Sequence, residues 1–213
     1  MRLDIFSDVI CPWCFVGKRR LEKALALRPM PSLDIRWRAF QLNPGMPKEG
    51  MDRQAYLEAK FGGEMRSRQI YDTIRRVGGS ENIAFAFEKV KRTPNTVDAH
   101  RLIRLAYDKG AQDAMVEALF QAYFLNGRDI GDLDVLIDIA EEQDIDRDEA
   151  ANFLESTEGA VDVEAECVTA GRIGVNGVPC FVLNGRYGLS GAQEPEALFP
   201  LFDLALQEEG ASA

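Results

Sequence analysis

Hydrophobic and polar positions change their rhythm three times along this chain. Near the start, Leu3, Ile5 and Val9 form a short β-prone run that turns at Ser7 and Asp8. From Cys14 to Leu27, Phe15, Leu21 and Leu25 recur at near-helical spacing among Lys and Arg, and the pattern stops before Pro29 and Pro31, which predicts a first helix. LDIRWRAF then alternates Leu33, Ile35, Trp37 and Ala39 against Asp34, Arg36 and Arg38, the period of a half-buried strand. These three pieces make a βαβ unit.

After NPGMPKEG, from about Met51 to about Gly171, apolar residues return every three or four positions, so the middle is predicted to be wholly helical. Breaks at Gly62-Gly63, Gly78-Gly79, Pro94, Gly110, Gly127 and Gly131 divide it into several helices. Two of them are Thr96 to Lys109, with Asn95 as N-cap and Asp98 in the first turn, and Leu133 to Gln143 behind Asp132. Past Gly177 the rhythm changes again. PCFVLNGRYGLSG reads as two short strands around Asn184-Gly185, a pair suited to the positive φ of a tight hairpin. A last helix is expected from about Pro195 to Gln207. The element order is βαβ, a helical block, then ββα.

Composition narrows the function. The 213 residues are 46% hydrophobic and 28% charged, average for a globular protein with a full core. A net charge of -10 argues against a nucleic-acid or anionic-membrane partner. The nearest basic pairs, Arg101 with Arg104 and Arg75 with Arg76, read as solvated helix faces. No apolar run approaches the ~18 residues of a membrane span, and MRLDIFSDVI is too short and too acidic for a secretory signal, so a cytoplasmic protein is expected. In a reducing compartment four cysteines do not read as a structural disulfide framework.

Two of the four, Cys11 and Cys14, lie three residues apart where the first strand gives way to the first helix. If Cys11 occupies the N-cap region, unpaired backbone N–H groups and the helix dipole stabilise negative charge on its sulfur. Pro12 at the first helical position loses no helical hydrogen bond. One turn on, Cys14 comes within reach of Cys11, so Cys11 would attack a disulfide and Cys14 would resolve the mixed intermediate. Trp13, expected at the surface between them, could shape the landing site for a substrate sulfur. Zinc needs two further ligands, and only Cys167, Cys180 and His100 are spare, without a second close pair, so no metal is expected. Asp8 reads as a turn-capping carboxylate, while Cys167 and Cys180 read as packed thiols.

With SDVICPWCFVGKRRLEKAL at one end, NTVDAHRL in the middle and GVNGVPCFVLNGRYGLSGAQ near the other, the chain resembles the DsbA superfamily of thioredoxin-like proteins. The branch it is most similar to is the FrnE-like one, near the 2-hydroxychromene-2-carboxylate isomerases and kappa-class glutathione transferases. That resemblance implies an α/β thioredoxin-like fold (βαβ…ββα) with a large all-helical insertion. It implies a thioredoxin-like domain at 1–48 and 172–213 and a helical domain at 49–171. It also implies a cis-proline at Pro179, with Val178 offering its backbone to substrate, and makes Asn95 and His100 candidate substrate contacts.

The activity implied is thiol-disulfide exchange through CPWC with a protein or small-molecule partner, needing no cofactor. Two other readings stand beside it: a glutathione-dependent isomerase or transferase, and a binding protein with a vestigial pair. Those isomerase and transferase relatives usually carry serine in place of the first cysteine and lack the second, so the intact CPWC favours the oxidoreductase. Ser190 to Gln193, SGAQ, resembles the loop that holds the γ-glutamyl end of glutathione, which keeps glutathione as a candidate reductant or co-substrate. A homodimer is the candidate assembly, because relatives with helical insertions often dimerise.

Overall fold

A computed structural model describes residues 1–211; the last two positions of the expected C-terminal segment, 212–213, lie outside the described residues. Strand β1 (Arg2–Ser7) leads into helix α1 (Pro12–Leu27) and strand β2 (Asp34–Ala39). Helices α2 (Arg53–Phe61), α3 (Glu64–Ser80), α4 (Val97–Asp108), α5 (Gln112–Phe124), α6 (Leu133–Glu142), α7 (Arg147–Glu155) and α8 (Ala160–Arg172) follow. Two-residue strands β3 (Met51–Asp52) and β4 (Arg92–Thr93) lie among them, and β5 (Cys180–Leu183), β6 (Tyr187–Ser190) and α9 (Phe199–Ala211) close the chain. Among the described residues no helix is long and apolar enough to cross a membrane.

The main sheet has the order β2-β1-β5-β6. β1 runs parallel to β2, pairing Ile5 with Trp37, and antiparallel to β5, pairing Ile5 with Phe181. Centre-sheet residues Leu3, Ile5 and Phe181 are almost fully covered. The hairpin turn takes the positive φ its residues predict, 49° at Asn184 and 68° at Gly185, and Arg186 N–H donates to Leu183 O at 2.9 Å.

Helix α1 packs its Phe15 ring on Phe120 of α5, centroids 5.1 Å apart and nearly parallel, with the edge of Phe85 6.0 Å away. Phe85, Phe87 and Phe124 continue this aromatic stack, so sheet, α1 and the helical block share one continuous core. The fold is mixed α/β, with the βαβ…ββα order around one sheet and a helical insertion between its halves, as expected.

Several local expectations need correction. The middle is not wholly helical: β3 and β4 pair Met51 with Thr93, and Phe87–Lys89 form a single 3-10 turn. Two-residue strands are too short to show a period. Val9 lies beyond β1, in the turn, and α1 begins at Pro12 rather than Cys14. The last helix is preceded by a 3-10 turn at Pro195–Leu198. Thr96, not Asn95, immediately precedes α4, but Asn95 Oδ1 accepts from Val97 N–H at 3.0 Å, so capping is supplied one residue earlier.

Arg101 is the largest departure. It is only 3% exposed, and its guanidinium donates to the carbonyls of Phe153, Leu154, Ser156 and Glu158 around the end of α7 while pairing with Asp98. Carbonyls at a helix end lack helical partners, and a guanidinium has enough donors to satisfy several of them at once. Arg104, partly covered, pairs with Glu166.

Candidate active site

The turn after β1 positions the cysteine pair. Cys11 N–H donates to Asp8 O at 2.9 Å and Cys14 N–H to Cys11 O at 3.0 Å, which starts α1. Cys11 is the N-cap, with extended backbone (φ -94°, ψ 111°) and no capping bond from its side chain, and Pro12 follows in the first turn. Its Sγ instead lies 3.6 Å from Val178 O. Cys11 is more covered than its sequence position suggests, 5% exposed, and Cys14 is completely buried. Both are free thiols. Trp13, expected at the surface, is half-buried and rests on the core, because a ring at the second helical position can fold back over apolar neighbours.

Burial pushes the Cys14 thiol well above its ordinary pKa, and the adjacent Cys11 adds to that push. The Ser7 side chain and the Asp8 backbone pull weakly the other way. Among the described residues the Ser7 hydroxyl is a buried group without a full hydrogen bond of its own. The arrangement therefore holds Cys14 as a neutral thiol beneath Cys11.

The Val178-Pro179 peptide is cis, and Pro179 is buried. Its ring lies against Gly17 on α1: a Cβ built at Gly17 would come 2.7 Å from Pro179 Cγ. Pro179 O accepts from Gly191 N–H at 2.8 Å, tying the SGAQ loop to the same place. Thus α1, the proline loop and the loop after β6 converge beside Cys11.

Asp8 is fully buried. Its Oδ2 accepts from Leu42 N–H at 2.7 Å, and its Oδ1 lies 3.5 Å from Ile10 N and 3.6 Å from Nε2 of His100 on α4. His100 is 3% exposed, and its Nε2 has no hydrogen-bond partner among the described residues. The structure thus brings His100 to Asp8, one turn below Cys11. Asn95 stays further out: its amide donates to Met46 O at 2.7 Å and holds the loop after β2 against α4. Cys167 Sγ lies 3.7 Å from Ala39 O, and burial lifts its pKa to about 11. Cys180 is buried in β5, with Ser190 Oγ 3.6 Å from its sulfur. No three His, Cys, Asp or Glu side chains gather as a metal site among the described residues.

The model of the DsbA-like thioredoxin domain matches residues 2–200. The chain belongs to the DsbA-like thioredoxin domain family. Within it, the probable DsbA oxidoreductase SCO1869 of Streptomyces coelicolor is 34% identical, with a TM-score of 0.88 over 98% of this chain and 91% of that one. The uncharacterized protein YwbO of Bacillus subtilis (strain 168) is 27% identical over 98% of this chain and 97% of its own. At 18% identity two further structures share the fold. They are 2-hydroxychromene-2-carboxylate isomerase (TM-score 0.73, 100% of both chains) and the Pseudomonas aeruginosa cytosolic disulfide reductase DsbM with GSH (TM-score 0.68, 97% of this chain and all of that one).

Two residues beside the cysteine pair, Ser7 and Gly17, were not among those the sequence singled out. Ser7 looked like the plain end of a strand, and nothing in its neighbourhood marked it. Gly17 carried a readable signal: a glycine inside a helix that otherwise favours Lys, Arg and Leu costs about 1 kcal/mol against alanine, which points to a close approach.

Proposed function

We propose that the protein is a thiol-disulfide oxidoreductase in which Cys11 is the attacking thiol and Cys14 the resolving one. One observation carries the reading: Cys11 stands at the N-cap position of α1 beside Val178 O, while Cys14 lies next to it, fully buried and with its thiol pKa raised. The Cys11 thiolate attacks one sulfur of a substrate disulfide, the substrate S–S bond breaks, and the departing thiolate takes a proton. A mixed disulfide then joins Cys11 to the remaining half. Cys14, after losing its proton, attacks Cys11 Sγ, forms the Cys11–Cys14 bond and releases the second substrate thiol. Two electrons have passed from protein to substrate, and a small thiol such as glutathione returns them.

Val178 O, already facing Cys11 Sγ, lies where an extended substrate backbone would donate an N–H. Pro179 fixes that carbonyl, Trp13 forms part of the landing surface, and His100 stands behind the pair through Asp8. Asn95 acts at one remove, by holding the Met46 loop. Burial of a neutral second thiol favours exchange over the isomerase reading, which needs no resolving group. A cytoplasmic setting with a glutathione-type reductant belongs to the same proposal, supported by the DsbM likeness.

The test is a pair of variants. Cys11→Ser should abolish reduction of insulin or glutathione disulfide, and Cys14→Ser should accumulate mixed disulfides that mass spectrometry identifies. Full activity in Cys11→Ser removes the redox reading, and an absence of adducts in Cys14→Ser removes the attack-and-resolve roles.

A further inference from the structure

Arg53, the first residue of α2, is an unusual cation. It is 8% exposed, and its guanidinium donates to Thr93 Oγ1 at 3.0 Å, to Tyr123 OH at 3.4 Å and to Tyr71 OH. Its carbon lies 5.4 Å from the Tyr71 ring centre and 5.5 Å from that of Tyr56. Among the described residues no carboxylate lies within ion-pair distance of it. Burial raises the pKa of both Tyr71 and Tyr123, so the two phenols stay neutral and supply no negative charge. A guanidinium withdrawn from water with only hydroxyls and ring faces around it lacks the anion that normally balances such a group.

That side chain lines a cleft of about 510 Å³ between α2, α3 and the segment before β4. Arg53, Arg75 and Lys91 line it beside Asp52 and Glu88; Arg75 pairs with Asp72 and Glu88, whereas Arg53 is its buried cation without a carboxylate among the described residues. Tyr71 and Phe87 supply an aromatic wall. The Tyr56 ring beside Arg53 carries a hydroxyl that accepts from Asn43 Nδ2 at 3.2 Å, and the neighbouring Leu42 N–H donates to Asp8 in the turn before Cys11, so the cleft adjoins the loop that borders the cysteine site.

We infer that this cleft binds a carboxylate, with an apolar or aromatic group against Tyr71 and Phe87, and that the carboxylate belongs to the disulfide substrate. The second half rests on the thiol-exchange reading; the first does not. Arg53 offers a fork of donors suited to two carboxylate oxygens, and the bound anion would balance its buried charge.

Binding is tested in the Cys11→Ser/Cys14→Ser protein, where no exchange can occur, by NMR titration with 3-phenylpropionate and with its uncharged amide. The acid should bind at least tenfold more tightly than the amide. Arg53→Leu should erase that difference. Because Arg53→Leu could impair folding, the exposed-rim variant Arg75→Gln/Lys91→Gln gives a second reading: acid binding should weaken threefold or more and amide binding should not change. Equal binding of acid and amide in the parent protein, no binding of either, or acid binding that the rim variant leaves unchanged overturns the cleft.

In the wild-type protein, a disulfide peptide with Glu beside its cysteine should react with a kcat/KM about tenfold above its Gln counterpart. Equal rates for the two peptides, with the acid still bound, overturn its assignment to the substrate. No exchange with either, with the acid still bound, sinks the thiol-exchange reading and leaves the cleft standing.

Discussion

Gly17→Ala tests whether the close approach of α1 to the proline loop is what places Val178 O beside Cys11. The added Cβ would stand 2.7 Å from Pro179 Cγ, 3.3 Å from Pro179 Cβ and 3.5 Å from Phe181 Cζ. Unstrained carbon contacts lie at ~3.5–4.0 Å, so the ring must retreat by about 1 Å. A proline ring is closed onto its own backbone nitrogen, and its retreat therefore drags the main chain that carries Val178 O. Overpacking of this kind costs about 1–3 kcal/mol, whereas alanine in place of glycine returns about 1 kcal/mol of helix propensity.

The net loss should be about 0–2 kcal/mol, a range too near zero to decide alone. Gly79→Ala in α3 supplies the comparison, since its Cβ would meet nothing within 4 Å. It should gain up to about 1 kcal/mol, so the gap between the variants isolates the clash at about 1–3 kcal/mol, or roughly 2–12 °C in Tm. Thermal melts measure the gap and insulin reduction measures the site. Gly17→Ala should be slower by about tenfold to a hundredfold, because a displacement near 1 Å at a reacting centre costs that much. If Gly17→Ala melts level with Gly79→Ala and reduces insulin at the parent rate, the contact neither strains the loop nor positions the carbonyl.

Four further outcomes follow from groups the fold covers. Asp8→Ala leaves Leu42 N–H without its acceptor and should cost about 1–3 kcal/mol in urea denaturation, with Asp8→Asn costing less. Arg101→Met strands four carbonyls and Asp98, and should lose about 3–5 kcal/mol by the same measurement. Alkylation of Cys167 should follow a titration with a midpoint at about 11. Burial raises Cys14 and Cys167 above the unfolded thiol, so their contribution to stability is complete below ~8.5 and drains as pH climbs through the folded values. The denaturation midpoint should therefore fall between about pH 8 and about pH 10.5, and less so in Cys167→Ser; an unchanged midpoint would contradict the burial of both thiols.

The order of elements was legible because each has a strong local cause. Alternation from Leu33 to Ala39 appears as β2, and Asn184-Gly185 as the hairpin. Asp132 caps α6, and its carboxylate accepts from Asp134 and Val135 N–H. What stayed hidden depends on partners remote in sequence. Nothing near Arg101 announces that the end of α7, some fifty residues later, needs its donors. Arg53 likewise looks like an ordinary first-turn residue until Thr93 and Tyr123 close around it. The candidate site divides in the same way. CPWC is a local motif and its cap geometry is local, whereas the covering of Cys11 to 5% exposure comes from segments far along the chain.

That division bears on what the helical insertion does for the chemistry. Asp8 gathers contacts from its own turn, from Leu42 after β2 and from His100 on α4, and a fully buried carboxylate in such a place is costly unless its neighbours are held firmly. His100 is delivered by α4, while Asn95 at the start of that helix pins Met46 in the loop that also carries Leu42. The insertion thus bounds the floor of the cysteine site as well as its rim. Phe15, stacked on Phe120 one residue after Cys14, fixes the tilt of α1 against the same block. Motion of the block relative to the sheet would disturb groups that touch Asp8 and the first turn of α1, along with the bonds that join β2 to Gln112 and Glu166. A substrate seated against the block would be felt at the cysteines through packing as well as through charge.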